Sequence, residues 1–152
     1  MFIEVKSENE MKDLGAKIGT LLKGGEIIEL IGDVGSGKTT LTKGIAVGLG
    51  IDEYVQSPSF SINRTYVGRD NLILSHYDFY RLSDAGIMAN ELEETIGDKS
   101  TITVIEWGGV VDDVLPFDRL SVSITSPTEM ERNLSINAGG PKSQKLIKEI
   151  NL

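Results

Sequence analysis

Residues Gly32 to Thr39 read GDVGSGKT and fit the spacing G-x-x-x-x-G-K-[ST]. Those residue types at that spacing suit a phosphate group. Glycines let successive main-chain N–H groups curl around an anion without Cβ obstruction. The amides in question belong to Asp33, Val34, Gly35, Ser36 and Gly37. A helix starting near Lys38 turns its partial positive end to the same place. The Lys38 ammonium then reaches the β- and γ-phosphates of a nucleotide, and the Thr39 hydroxyl suits Mg²⁺. Thr40 either caps the helix or contacts the α-phosphate. The plain alternative is a glycine-rich turn that merely joins a strand to a helix. From average residue frequencies, a chance match in such a chain is on the order of 1%.

A phosphate cradle does not define a reaction. Hydrolysis also needs a carboxylate near the metal and a group that places a water. Two carboxylates end apolar runs: Asp78 closes LILSHYD and Glu106 closes TITVIE. A carboxylate at the C-terminal end of a buried strand beside the loop can ligate the metal or accept from metal-bound water. A solvated strand end is the other reading for each. His76, the only histidine, reads as a structural residue rather than a base. Trp107, the only tryptophan, reads as core or rim packing or as a reporter beside the nucleotide. Arg81 is either a phosphate-reading arginine or a surface charge.

These residues need elements to hold them. Ser7 and Glu10 have capping-box spacing, with Asn9 a competing cap. Met11, Leu14, Ile18, Leu21 and Leu22 follow at helical spacing, and Gly24 and Gly25 supply a stop. EIIELI, residues 26–31, suits a buried strand. Leu41, Ile45, Ala46 and Leu49 mark one face of the helix after the loop, which ends at Gly50. After a turn at Pro58, the alternation predicts a strand with Phe60, Ile62, Arg64 and Tyr66 on one side. GRDN is a turn and LILSHYDFY a strand. Ser83 and Asp84 can cap a helix carrying Met88, Leu92 and Ile96. TITVIEW is a strand, and RLSVSIT and NLSINA form an antiparallel pair with one solvated face. Pro141 starts a last helix with Leu146, Ile147 and Ile150. The pattern predicts a single α/β domain over 1–152 with a three-layer core. Its central sheet is mixed but mostly parallel and flanked by helices.

The chain has 152 residues, no cysteine and a formal net charge of −8. Disulfides and thiolate metal sites are excluded, and a cytoplasmic protein is expected. No apolar run approaches the roughly 20 residues of a membrane helix, and no secretory signal is visible. So acidic a chain lacks the broad positive field of nucleic-acid binders, so any nucleic acid is expected to be held by a partner. A local basic patch from Lys38, Lys43, Arg64, Arg69 and Arg81 remains open.

Four motifs stand in order: the phosphate loop, SPSF at 57–60, HYDFYRL at 76–82 and IEW at 105–107. Together they resemble the TsaE family of small bacterial P-loop ATPases, over about residues 7 to 136. The resemblance implies a P-loop NTPase fold and an ATP-hydrolysing accessory of tRNA N6-threonylcarbamoyladenosine synthesis. Its implied partners are TsaB- and TsaD-like proteins, whose assembly it resets between rounds of transfer. It implies contact with tRNA only through those partners, and none with a membrane. ATP, ADP and Mg²⁺ become the ligands. Lys38 and Thr39 hold phosphate and Mg²⁺, Asp78 and Glu106 are the functional carboxylates, and Trp107 lies beside the site. Glu106 is preferred on Mg²⁺ with Asp78 placing the attacking water, and the swapped assignment stays open. Residues 57–60 resemble a switch loop that senses the γ-phosphate. Ser59 stands where the family usually has threonine; its hydroxyl can still bond phosphate or Mg²⁺, but it is less stiff at χ1, so a looser switch is expected. Turnover is expected to be slow alone, as no arginine finger is evident beside the loop. A small-molecule kinase and a non-catalytic nucleotide sensor are the competing readings. The five arginines do not cluster in sequence as a kinase lid would need.

Overall fold

The computed structural model describes residues 1–58, 62–80, 82–84 and 86–152. The expectations for Ser59, Phe60 and Arg81 lie outside the described residues. The chain opens with a strand that the pattern does not announce, β1 (Phe2–Val5). Four residues with only Val5 buried are too few for alternation to register. Helix α1 (Glu8–Leu21) follows, capped by Ser7, whose hydroxyl accepts from the Glu10 amide at 3.1 Å. The Glu10 carboxylate reaches back to the Lys6 amide at 2.7 Å, one residue before the cap. Asn9, the competing cap, lies inside the helix.

Strand β2 (Ile27–Ile31) leads through the glycine-rich loop into α2 (Lys38–Gly48). Then come β3 (Asn63–Val67), β4 (Ile73–Asp78), α3 (Ile87–Ile96) and β5 (Thr101–Glu106). A 3-10 segment over Gly108–Val114, unforeseen in the sequence, precedes β6 (Leu120–Thr125), β7 (Arg132–Ala138) and α4 (Pro141–Ile150). All seven strands form one sheet in the order β1-β7-β6-β2-β5-β4-β3. The pairings β6–β2, β2–β5 and β5–β4 are parallel, and the three outer pairings are antiparallel. The sheet is mixed as expected but not mostly parallel: three of its six pairings are antiparallel, and parallel pairing is confined to its centre. The short connections β3–β4 and β6–β7 can only join antiparallel neighbours.

Helices α1, α2 and α4 cover one face. Their Ile18, Leu41, Ile45 and Leu146 pack with Ile28, Leu30, Val104 and Val122 of the sheet. On the other face, Leu92 of α3 joins Val111 and Leu115 over Ile27, Tyr77 and Ile105. The shared side expected for residues 60–66 does not hold. Ile62 has φ 68° and breaks the alternation, so it packs on the α3 side while Tyr66 packs on the α2 side. The cap of α3 is Gly86 rather than Ser83 or Asp84. Asp84 instead accepts from the Gly86 amide at 3.0 Å.

The phosphate-loop helix is placed by a glycine seam. Gly15 and Gly19 of α1 face Gly44 and Gly48 of α2. A Cβ added at Gly44 would sit 2.3 Å from the Lys12 carbonyl oxygen, and one at Gly19 would sit 2.3 Å from that of Ile45. The two backbones therefore touch directly. Arg69 locks the far end, its Nη2 donating to the carbonyls of Gly19, Thr20 and Leu22 at the C-terminus of α1. That placement favours the negative end of the helix dipole.

Candidate active site

Parallel strands bring their C-terminal ends into a row. Leu30 of β2 is in register with Glu106 of β5, and Glu106 with Asp78 of β4. The loop after β2 therefore emerges beside both carboxylates. It turns through Gly35 (φ 83°) and Gly37 (φ 108°), a left-handed backbone that side chains disfavour. Gly37 is the cap residue of α2, so Lys38 and Thr39 start the helix.

One open cleft of about 390 Å³ gathers Val34, Gly35, Gly37, Lys38, Thr39 and Thr40 of the loop. Asp78, Glu106 and Trp107 complete it, together with Ser57 and Tyr80. Asp33 and Ser36, expected on the phosphates, do not line this cleft. Asp33 lines a neighbouring hollow with Glu29 and Gly108. Ser36 is buried, and its hydroxyl has no partner among the described residues. Their part in the loop is main chain: the Ser36 amide donates to the Asp33 carbonyl at 3.0 Å.

Lys38 is only 6% exposed, and its ammonium donates to the carbonyl oxygens of Gly32 and Asp33. The indole of Trp107 lies 4.8 Å from the Lys38 nitrogen, and Tyr80 packs on the indole at 4.8 Å. Trp107 itself adopts φ 57°, ψ 46°. That left-handed turn directly after Glu106 folds the indole back over the lysine, at a cost of order 1–3 kcal/mol. Asp78 accepts from the Ser57 hydroxyl at 3.3 Å and the Tyr80 amide at 3.0 Å. Ser57, the first residue of the expected switch segment, is thereby tied to a site carboxylate.

Glu106 is nearly enclosed, and His76 stands beneath it with Nε2 2.6 Å from Glu106 Oε2. When the carboxylate is ionised it only accepts, and Nε2 then carries the hydrogen. His76 is fully buried against Glu106, and its Nδ1 has no partner among the described residues. Arg64 is exposed on β3 and Arg69 is spent on α1, so the two do not join a basic patch at the loop.

The donor set fits Mg²⁺ bound with phosphate. It offers the Thr39 hydroxyl and two carboxylates, all hard oxygens, beside an ammonium and a helix N-terminus. Among the described residues, no three His, Asp or Glu side chains gather at one point. A magnesium ion here would rely on phosphate and water for the rest of its shell.

Sequence reasoning missed two residues at the loop. Tyr80 stands two positions after Asp78 within HYDFYRL, so a motif-level signal was present. Arg132 lies on β7, and its guanidinium donates to the Ser36 carbonyl from Nε at 3.0 Å. Nothing local in sequence marks it.

A mixed α/β protein whose glycine-rich loop joins a central parallel strand to a helix, with two strand-end carboxylates alongside, is the class these features define. The family model described as "Threonylcarbamoyl adenosine biosynthesis protein TsaE" matches residues 5–134. A relative named "tRNA threonylcarbamoyladenosine biosynthesis protein TsaE" from Bacillus subtilis is 34% identical, over 93% of this chain and 87% of its own. One of the same name from Streptomyces coelicolor is 37% identical, over 75% and 78%. The crystal structure of Bacillus subtilis YdiB superposes with a TM-score of 0.82 at 31% identity, over 99% of this chain and 93% of that one. The chain belongs to the TsaE family.

Proposed function

We propose that this chain is a Mg²⁺-dependent ATPase that serves tRNA N6-threonylcarbamoyladenosine synthesis by resetting a TsaB–TsaD-type assembly. In this reading it is a single P-loop NTPase domain that works in the cytoplasm. The observation that carries it is the gathering of Lys38, Thr39, Asp78 and Glu106 around one cleft at the mouth of α2. The amides of Val34, Gly35 and Gly37 to Thr40 would grip the β-phosphate, and the Lys38 ammonium would leave its carbonyl partners for the β- and γ-oxygens. Thr39 and Glu106 would hold Mg²⁺. When bound, that ion neutralises charge developing on the transferred phosphoryl group. Asp78 would place the attacking water. It is the more accessible carboxylate, whereas Glu106 is held by His76. Water attack breaks the bond between the γ-phosphorus and its bridging oxygen, giving ADP and phosphate.

The test is phosphate release from Mg·ATP, alone and with a TsaB–TsaD pair. Lys38→Ala should abolish nucleotide binding, and Glu106→Ala should spare binding while losing turnover. Equal hydrolysis by Glu106→Ala and the parent would refute the Glu106 assignment. Binding without phosphate release, even with the partner pair, would leave a nucleotide sensor.

A further inference from the structure

We propose that Arg132 is a positioning residue for the phosphate loop, pinning the Ser36 carbonyl outward so that the Gly37 amide faces the anion. Its guanidinium collects five main-chain oxygens. Two belong to the loop: Ser36, 3.0 Å from Nε, and Gly35, 3.4 Å from Nη2. Three belong to the β6–β7 connection: Thr128, Glu129 and Glu131, at 2.8–3.1 Å from Nη1. A trans peptide points its C=O and N–H in opposite directions. Fixing the Ser36 carbonyl on Arg132 therefore points the Gly37 N–H away from Arg132, on the opposite side of their shared C–N bond. Arg132 does not line the cleft that holds Lys38, Asp78 and Glu106; it lines the groove behind the loop, with Met11 and Met130. It is therefore no arginine finger, since its donors are spent on backbone.

The loop needs such a hold. Its glycines sit at φ 83° and 108° and can take many other conformations. A carbonyl swung into the cleft would repel phosphate. One planar cation that satisfies several oxygens at once removes that freedom before ligand arrives. Lysine cannot replace it, because an ammonium is a point charge without a rigid fork.

The inference rests on the phosphate-binding reading, and two measurements separate the two. Titration calorimetry with Mg·ADP compares the parent, Arg132→Ala and Arg132→Lys. Hydrogen exchange follows the amides of residues 33–37 without ligand. Arg132→Ala should bind roughly tenfold or more weakly, as expected for losing charge-assisted bonds. Its loop amides should exchange faster, and added methylguanidinium should restore both properties. Arg132→Lys keeps the charge and most of the stem, yet should still lose several-fold in affinity. Parent-like affinity and exchange in Arg132→Lys would overturn the inference, including where Arg132→Ala does not fold. So would weakened binding in Arg132→Ala with unchanged exchange and no rescue. If the parent itself takes up no Mg·ADP, the phosphate reading fails, and the exchange arm alone decides whether Arg132 holds the loop.

Discussion

Replacing Gly44 by alanine should destabilise the protein although alanine is the better helix former. The added methyl would lie 2.3 Å from the Lys12 carbonyl oxygen, 2.9 Å from the Gly15 Cα and 3.0 Å from the Lys12 carbonyl carbon. Comfortable carbon contacts begin near 3.5 Å, so α1 and α2 must part by about 1 Å. All three obstacles are main chain, which no rotamer change can move. Overpacking of this kind costs up to about 3 kcal/mol. The gain in helix propensity returns about 1 kcal/mol. The balance is a loss of up to about 2 kcal/mol, or up to roughly 8 °C in Tm for a chain of this size. Thermal melts followed by circular dichroism measure it. Gly15→Ala meets the Leu41 carbonyl at 2.4 Å across the same seam and should behave alike. One separation of the helices relieves both methyls, so the double variant should lose less than the sum of the two. A Gly44→Ala protein that melts at or above the parent would refute the backbone-contact account, because propensity alone predicts that direction.

His76→Phe keeps an aromatic ring but removes the donor on Glu106. Phosphate release should fall by about 10- to 150-fold, the equivalent of one charge-assisted hydrogen bond, with Mg·ADP affinity on calorimetry little changed. Asp118→Asn should lose stability at about pH 7 but match the parent in strong acid. Burial alone would raise the Asp118 pKa, but bonds from the Ser143 hydroxyl and amide and the Lys142 amide outweigh it and hold it below the ordinary 3.8. A carboxyl lowered by folding contributes stability above its unfolded value, and that contribution is lost as pH falls through its folded value. Urea midpoints of the two proteins should therefore converge as pH falls through the folded value, which lies below 3.8; a gap of constant size from neutral pH down to acid would contradict this.

The phosphate loop, its strand and its helix were legible because the motif is local and its flanks have clear periods. Asp78 and Glu106 were legible as polar ends of apolar runs. Parallel register, which no single strand encodes, is what sets them side by side. Arg132 was illegible for the same kind of reason: it meets Ser36 across 96 positions of chain. The glycines of α1 and α2 carry no signal in an apolar period. Their meaning appears only when two helices cross. Ile62 escaped because alternation cannot register a residue with positive φ. The 3-10 segment after Trp107 has neither a period of 3.6 nor one of 2 to betray it.

The sheet order has a consequence for how the molecule comes into being. The first strand, Phe2–Val5, pairs only with the last, Arg132–Ala138, and β6 borders that last strand too. On the ribosome residues 2–5 wait for residues 132–135 to be made. A nascent chain halted before residue 132 exposes the free edge of β6, a template for pairing with other chains. It also carries a nucleotide loop with no guanidinium behind it. The strand that closes the sheet is the same one that completes the loop, so both become possible at the same point of synthesis.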